Sequence, residues 1–241
     1  MKVSVIIPAF NEEKLLGSCI ESVRAAFSGQ GEATDHEVIV CDNNSSDRTA
    51  EIAAAGGARV VFEPLNQIAG ARNSGAAAVS GDWLLFIDAD SVLSAATLRA
   101  VLGLMRGGAT AGGGAVIRFF PRPPWWGRIM PVAWNLISRV FSLAAGSFVF
   151  CRADAFRAVG GFNSQLYAAE ELYLSLALRR WGRARGLAFT IITSAPHCSS
   201  SRKFFIYGFS GLVKICVNLV FSPFRSLKSA ARLPIFYDGR R

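Results

Sequence analysis

The chain has 241 residues, 51% of them hydrophobic, which is enough to bury one sizeable α/β core and too few for a polytopic membrane protein. Its formal charge of +9 is unevenly spread: residues 1–171 hold 14 basic and 16 acidic side chains, whereas residues 172–241 hold 12 basic ones and a single acid, Asp238. Five cysteines without a CxxC pair exclude a zinc ribbon and a disulfide framework and fit a reducing cytosol; the apolar run at 3–7, cut off by Pro8, is too short for a signal peptide.

In chain order, "VSVII" at 3–7 reads as a short buried strand, and Leu15, Leu16, Cys19, Ile20, Val23 and Phe27 then recur at helical spacing. A strand at 37–42, a helix ending near Gly56, a strand at 58–63, a helix over 69–80 and a strand at 82–88 follow. Strands alternating with helices predict βαβ units and a mainly parallel sheet. After Asp90 a helix is expected over 95–105, a looser glycine-rich stretch at 107–114, a strand at 115–120 and a turn-rich "PRPPWWG". Residues 129–145 read as an apolar helix carrying Arg139; strand, short helix and turn follow to Phe162, then a helix over 170–182 and a β-like run at 188–194.

Residues 204–221 are almost wholly apolar, with Lys214 near the middle and Pro223 closing the run. A central lysine costs about 2.5–3.5 kcal/mol on insertion scales, so a helix lying on a membrane or packed on the domain is favoured over a span. The expected organisation is a domain over 1–200, divided into 1–92 and 93–200, followed by a basic, apolar extension over 201–241.

Ligands of parallel sheets collect outside the carboxyl ends of the strands. Polar residues follow three strand ends here: "PAFNE", "CDNNSSD" and "DAD". On an extended backbone Asp88 and Asp90 would face one side about 7 Å apart, where two anions need a cation or hydrogen-bond donors between them. Mg²⁺ or Mn²⁺ meets that need and is commonly shared with phosphate oxygens. Gly70 and Gly75 around Arg72 suggest close backbone approach.

The ordered set "VSVIIPAFNEE", "VIVCDNNSSDRT", "GARNSGAA" and "DWLLFIDADS" resembles the nucleotide-binding half of family 2 glycosyltransferases, which have the GT-A fold. The resemblance covers residues 2–92 strongly and extends more loosely to about 182. It implies a nucleotide pocket lined by Pro8, Ala9 and Glu12, with Asp42 on the base, Arg72 near base and diphosphate, Asp88 towards ribose and metal, and Asp90 on the metal. In "GGFNSQLYAAEE", Gly160 and Gly161 would serve the donor sugar. Glu170 and Glu171 stand where the family usually has Glu-Asp, so that Glu171 aligns with the base and either carboxylate can accept a hydroxyl proton. His197 matches a third metal ligand of some members, or is a hydrogen-bonded loop histidine. His36 reads as a surface residue, and Trp125 and Trp126 as either packed aromatics or a stacking platform.

Together these residues imply a cytoplasmic, metal-dependent inverting glycosyltransferase that uses Mg²⁺ or Mn²⁺. It would move a sugar from a nucleotide-diphosphate donor to a hydroxyl acceptor, lipid-linked or near a membrane. Lys214, Arg225, Lys228 and Arg232 among apolar residues imply peripheral contact with an anionic cytoplasmic leaflet. The alternatives are a non-catalytic nucleotide-sugar or lipid-binding module with a decayed site, and a sugar nucleotidyltransferase, disfavoured because acidic "PAFNEE" replaces its basic glycine-rich loop. No groove-reading motif supports a nucleic-acid partner.

Overall fold

The computed structural model describes residues 1–30, 34–221, 227–233 and 237. Its first half holds β1 (Lys2–Ala9), α1 (Leu16–Ser28), β2 (Asp35–Asp42), α2 (Thr49–Ala55), β3 (Arg59–Phe62), α3 (Ile68–Ala77) and β4 (Trp83–Ile87). β1 pairs in parallel with both β2 and β4, and β3 adds in parallel outside β2. Parallel neighbours require crossovers, so the carboxyl ends of β1, β2 and β4 open along one edge.

The second half adds β5 (Ser91–Val92), α4 (Ala95–Arg106), β6 (Thr110–Phe120), a 3₁₀ turn (Trp125–Arg128), α5 (Ile129–Phe141) and β7 (Phe148–Arg152). It continues with α6 (Ala153–Val159), α7 (Glu170–Arg183), β8 (Ala188–Ser200) and α8 (Arg202–Phe221). The eight-stranded sheet has the order β3-β2-β1-β4-β7-β6-β8-β5. It is parallel through β4; β7 then runs antiparallel to both β4 and β6, while β8 returns parallel to β6.

Alternation along β4 assigns its side chains to two cores. Trp83, Leu85 and Ile87 pack with Leu16, Ile20 and Val23 of α1 and with Leu98, Val101 and Leu102 of α4. Leu84 and Phe86 pack on the other face with Phe156, Phe162, Leu174 and Leu178, the Phe86 ring lying 5.3 Å from Phe156 and 5.0 Å from Phe162. Burial on both faces explains the unbroken apolar run of this strand and fixes the point where the chain leaves it.

Several expectations need correction. The glycine run expected to be loose belongs largely to central β6, where neighbouring backbone leaves no room for side chains: a Cβ on Gly113 would lie 1.9 Å from the Thr190 carbonyl oxygen. The helix expected over 129–145 stops at Phe141, followed by Ser142 with a left-handed φ of 50°. β8 runs to Ser200 rather than 194, so His197 is a strand residue and not a loop one. His36 is not simply superficial, since its ring stacks on Phe27 at 3.9 Å. The apolar run beyond 204 lies in α8, whose backbone leaves helical geometry at Gly208. No helix among the described residues is long and apolar enough to cross a membrane. Arg225 lies outside the described residues.

Candidate active site

Asp88 follows the last residue of β4 and opens a tight turn in which the Ser91 amide donates to the Asp88 carbonyl at 3.0 Å. The backbone here is therefore not extended, and the two carboxylates acquire different partners. The Asp88 side chain meets Arg72, with Oδ1 2.9 Å from one terminal nitrogen. Asp90 meets Arg202, with Oδ2 3.2 Å away. The cation that the sequence demanded between two aspartates is thus supplied, in this structure, by two guanidinium groups.

Arg72 comes from α3, which packs tightly on β1: a Cβ on Gly75 would lie 2.6 Å from Ile6 Cγ2. No such crowding surrounds Gly70, where the nearest neighbour is 3.5 Å away. The Arg72 side chain, 2% exposed, donates to Glu170 at 2.6 Å, Asp88 at 2.9 Å and the Gly146 carbonyl at 2.7 Å. Its guanidinium also lies 5.1 Å from the centre of the Phe162 ring. Arg72 joins the strand-end carboxylate to the first turn of α7, where the helix dipole favours acids.

The two α7 acids have different surroundings. Glu170 is buried against Arg72, whereas Glu171 is half-buried and lines a cavity. Burial first, and then the neighbouring Glu170, push the Glu171 carboxyl up to about 8, against the opposing pull of Arg72. A proton-accepting carboxylate with that affinity is matched to a hydroxyl proton far better than an ordinary surface acid.

Arg202 forms a second hub. It opens α8 and grips Glu12 with both terminal nitrogens, one at 2.7 Å, while also contacting Asp90. The Glu12 amide in turn donates to the Thr49 hydroxyl oxygen at 2.8 Å, tying the loop after β1 to α2. Nothing in the basic, apolar tail distinguished Arg202 from a surface charge; its partner Glu12 lies 190 residues earlier.

Two cavities meet at these hubs. One of about 350 Å³ is lined by Arg72, Asp88, Asp90, Trp134, Glu170 and Glu171, among others. A smaller one of about 50 Å³ is lined by Pro8, Ala9, Glu12, Asn43 and Asn66. Ile68, Asp88, Asp90 and Lys203 border both. Asp42 lies beside the smaller cavity rather than in it, because its Oδ1 accepts the Ser45 amide at 3.2 Å. Asn43 occupies the expected place instead, and its Oδ1 accepts the Gln67 amide at 3.2 Å. Gln67 then reaches the Leu166 carbonyl at 3.1 Å, bracing the loop before α7. Asn43 and Gln67 went unrecognised in the sequence, where polar loop residues carry no signal until their partners are known.

Gly160 and Gly161 border neither cavity. Their left-handed φ values of 82° and 72° turn the chain after α6, and the Phe162 amide and carbonyl then pair with the Asn73 side chain. His197 is fully buried against Phe148, ring centroids 4.5 Å apart, and both its nitrogens lack a hydrogen-bond partner among the described residues. Burial lowers its imidazole to about 4, with Asp88 opposing. Among the described residues no group of three or more metal-ligating side chains is gathered as in a closed metal centre. The donor types nevertheless fit Mg²⁺ or Mn²⁺: hard oxygens on Asp88 and Asp90, with the buried His197 imidazole close enough to feel the Asp88 charge.

A cleft at the ends of parallel strands, floored by Asp88 and Asp90 and faced by the acidic pair Glu170 and Glu171, places this α/β sheet in the GT-A class. The family model described as glycosyl transferase family 2 matches residues 4–159, and the chain belongs to that family. An uncharacterized glycosyltransferase of Mycobacterium bovis is 31% identical over 145 residues, covering 57% of this chain and 60% of its own length. The chain thus matches only about three-fifths of that relative.

Among solved structures, S. aureus TarS 1–349 in complex with UDP-GlcNAc superposes with a TM-score of 0.65 at 18% identity, covering 99% of this chain and 71% of that one. Glucosyl-3-phosphoglycerate synthase from Mycobacterium tuberculosis, in complex with Mn²⁺, UDP and glucosyl-3-phosphoglycerate, does so with a TM-score of 0.62 at 22% identity, covering 91% and 79%. At these identities the likeness establishes the fold.

Proposed function

We propose that the chain is a metal-assisted, inverting glycosyltransferase that moves a sugar, of hexosyl type, from a nucleotide-diphosphate donor to a hydroxyl acceptor. One observation carries this reading: a half-buried carboxylate with raised proton affinity, Glu171, shares one cavity with the strand-end pair Asp88 and Asp90. Pro8, Ala9, Glu12 and Asn43, around the smaller cavity, form one wall against which the nucleoside packs, while Asp42 shapes its loop. Asp90 and Asp88, with His197 as the candidate third donor, would hold Mg²⁺ or Mn²⁺. When bound, such an ion neutralises charge on the departing diphosphate.

Glu171 takes the acceptor proton as the hydroxyl oxygen attacks the anomeric carbon from the face opposite the diphosphate. The new glycosidic bond forms as the carbon–phosphate-oxygen bond breaks, and the nucleoside diphosphate leaves with inversion. Glu170 does not serve as the base because its carboxylate is held by Arg72 at 2.6 Å. The domain over 1–200 houses this chemistry, and the lipid-linked or membrane-proximal acceptor expected from the extension over 201–241 belongs to the same proposal.

The relatives with UDP or UDP-GlcNAc make uridine donors the first to try. Thermal shift against a panel of nucleotide sugars with Mn²⁺ tests the reading, since a ligand at 100 times its Kd stabilises by about 2.7 kcal/mol. One donor should raise the melting temperature of the native chain and fail to do so for Asp90→Ala. No shift with any donor, or equal shifts in both proteins, overturns it.

A further inference from the structure

α5 is built the wrong way round for water. Residues 129, 132, 133, 136, 137 and 140 form one helical stripe and are all exposed, with Val132, Leu136 and Val140 respectively 70%, 61% and 64% accessible. The inward side carries polar residues beside Pro131 and Trp134: Asn135 pairs with both the amide and the carbonyl of Ile117, and Ser138 is buried. The surface continues past the helix. Trp125 is 77% exposed, and Trp126 packs on Phe209 at 5.6 Å, joining this stripe to the exposed Phe205 and Phe209 of α8.

The stretch of chain that builds this face carries charge of one sign. Residues 91–153 contain seven arginines and no aspartate or glutamate. Arg118, Arg122 and Arg128 border a groove of about 330 Å³ at the edge of the stripe, together with Val132. None of the three has a carboxylate partner among the described residues.

We infer that α5, the preceding 3₁₀ turn and the start of α8 form a docking surface for an anionic lipid bilayer, with the arginine-bordered groove receiving lipid phosphate. Apolar side chains enter the interface while guanidinium forks meet phosphates at its rim, and Trp125 sits at headgroup depth. A second copy of the chain fits worse, because self-association would bring two arginine-rich rims together without a compensating acid. Its basic rim, Arg118, Arg122 and Arg128, is distinct from the lysines and arginines after residue 204, although Phe205 and Phe209 at the start of α8 extend its apolar face.

The placement also suggests how an amphiphilic acceptor arrives. Met130, Pro131 and Trp134 of α5 and Phe204 of α8 line the larger cavity that contains Glu171. A lipid-borne acceptor can therefore pass from the bilayer to the base without crossing water, a step that rests on the proposed transferase activity, whereas docking itself does not.

The test is flotation of the full chain with phosphatidylcholine vesicles, with and without phosphatidylglycerol, at low and high salt. Binding should favour the anionic vesicles and weaken with salt. Leu136→Glu with Val140→Glu should reduce it more than about tenfold, since charge then occupies the inserted face. Arg122→Gln and Arg128→Gln should each reduce anionic binding about fivefold. Leu136 and Val140 line neither cavity at the site, so the double variant should keep the thermal shift produced by the donor, which also verifies its folding. Native protein that stays unbound, or equal flotation of the double variant, overturns the docking surface. So does a native dimer, seen by light scattering, that the glutamates dissolve. Intact flotation without any donor shift leaves docking standing and sinks the transferase reading alone.

Discussion

Replacing Arg72 by Met should be the most damaging single change at the site. The side chain is 2% exposed and bonded to Glu170, Asp88 and the Gly146 carbonyl, so its loss strands a carboxylate that is itself 4% exposed. Removing one partner of a buried ion pair costs about 3–5 kcal/mol, because the remaining charge has neither water nor a counter-ion. That is a large share of the roughly 5–15 kcal/mol by which a domain is stable. Urea unfolding of native and variant proteins would read it as a lower midpoint at an unchanged slope. Adding Glu170→Gln should recover about 1–3 kcal/mol of the loss. A loss below about 1 kcal/mol at pH 7, or one that Glu170→Gln does not relieve, refutes the view that Arg72 is the buried counter-ion of this cluster.

Glu171→Gln should lower kcat by about 10²–10⁴ with little change in donor affinity, whereas Glu170→Gln should chiefly weaken folding; steady-state kinetics beside urea melts separates the two. With its carboxyl raised to about 8, activity of the native enzyme should climb with pH through that value, and a flat profile from pH 6 to 9 would count against Glu171 as base. The same shift acts on stability with the opposite sign. The folded state holds this proton above the pH at which the unfolded chain releases it, so stability relative to Glu171→Gln should fall between about pH 4.3 and 8. Arg202→Ala frees Glu12 and Asp90 from an internal cation and should tighten Mn²⁺ binding, followed by electron paramagnetic resonance; weaker binding would instead make Arg202 a support for the ion site.

Much of the fold was legible because its signals are local. The apolar run of β4 announces a strand buried on both faces, and the 3–4 spacing of Leu16, Cys19, Ile20 and Val23 announces the face that α1 turns to the sheet. The glycine run at 112–114 misled for a physical reason. Glycine marks flexible backbone when solvent surrounds it and crowded backbone when neighbouring strands do, and only the packing tells these apart.

The site divides in the same way. Asp88, Asp90, Arg72 and the acidic pair stand out by type and position, and the cavity brings all of them together. Arg202 does not stand out, because what makes it part of the site is a contact with Glu12 and Asp90 across most of the chain. Similarly, the choice between Glu170 and Glu171 depends on which carboxylate Arg72 reaches, a matter of helix rotation that no adjacent pair of letters reveals. The inverted polarity of α5 was invisible too: its periodicity is that of any amphipathic helix, and only its packing shows which face meets solvent.

The central claim is that Asp90 and Glu171 serve one reaction on one bound donor. Release of nucleoside diphosphate from the donor selected by thermal shift, followed with and without Mn²⁺, tests it directly. Native protein should release the diphosphate only with the ion, and Asp90→Ala and Glu171→Gln should each abolish release beyond the uncatalysed rate. Equal release by the native protein and either variant would contradict the account.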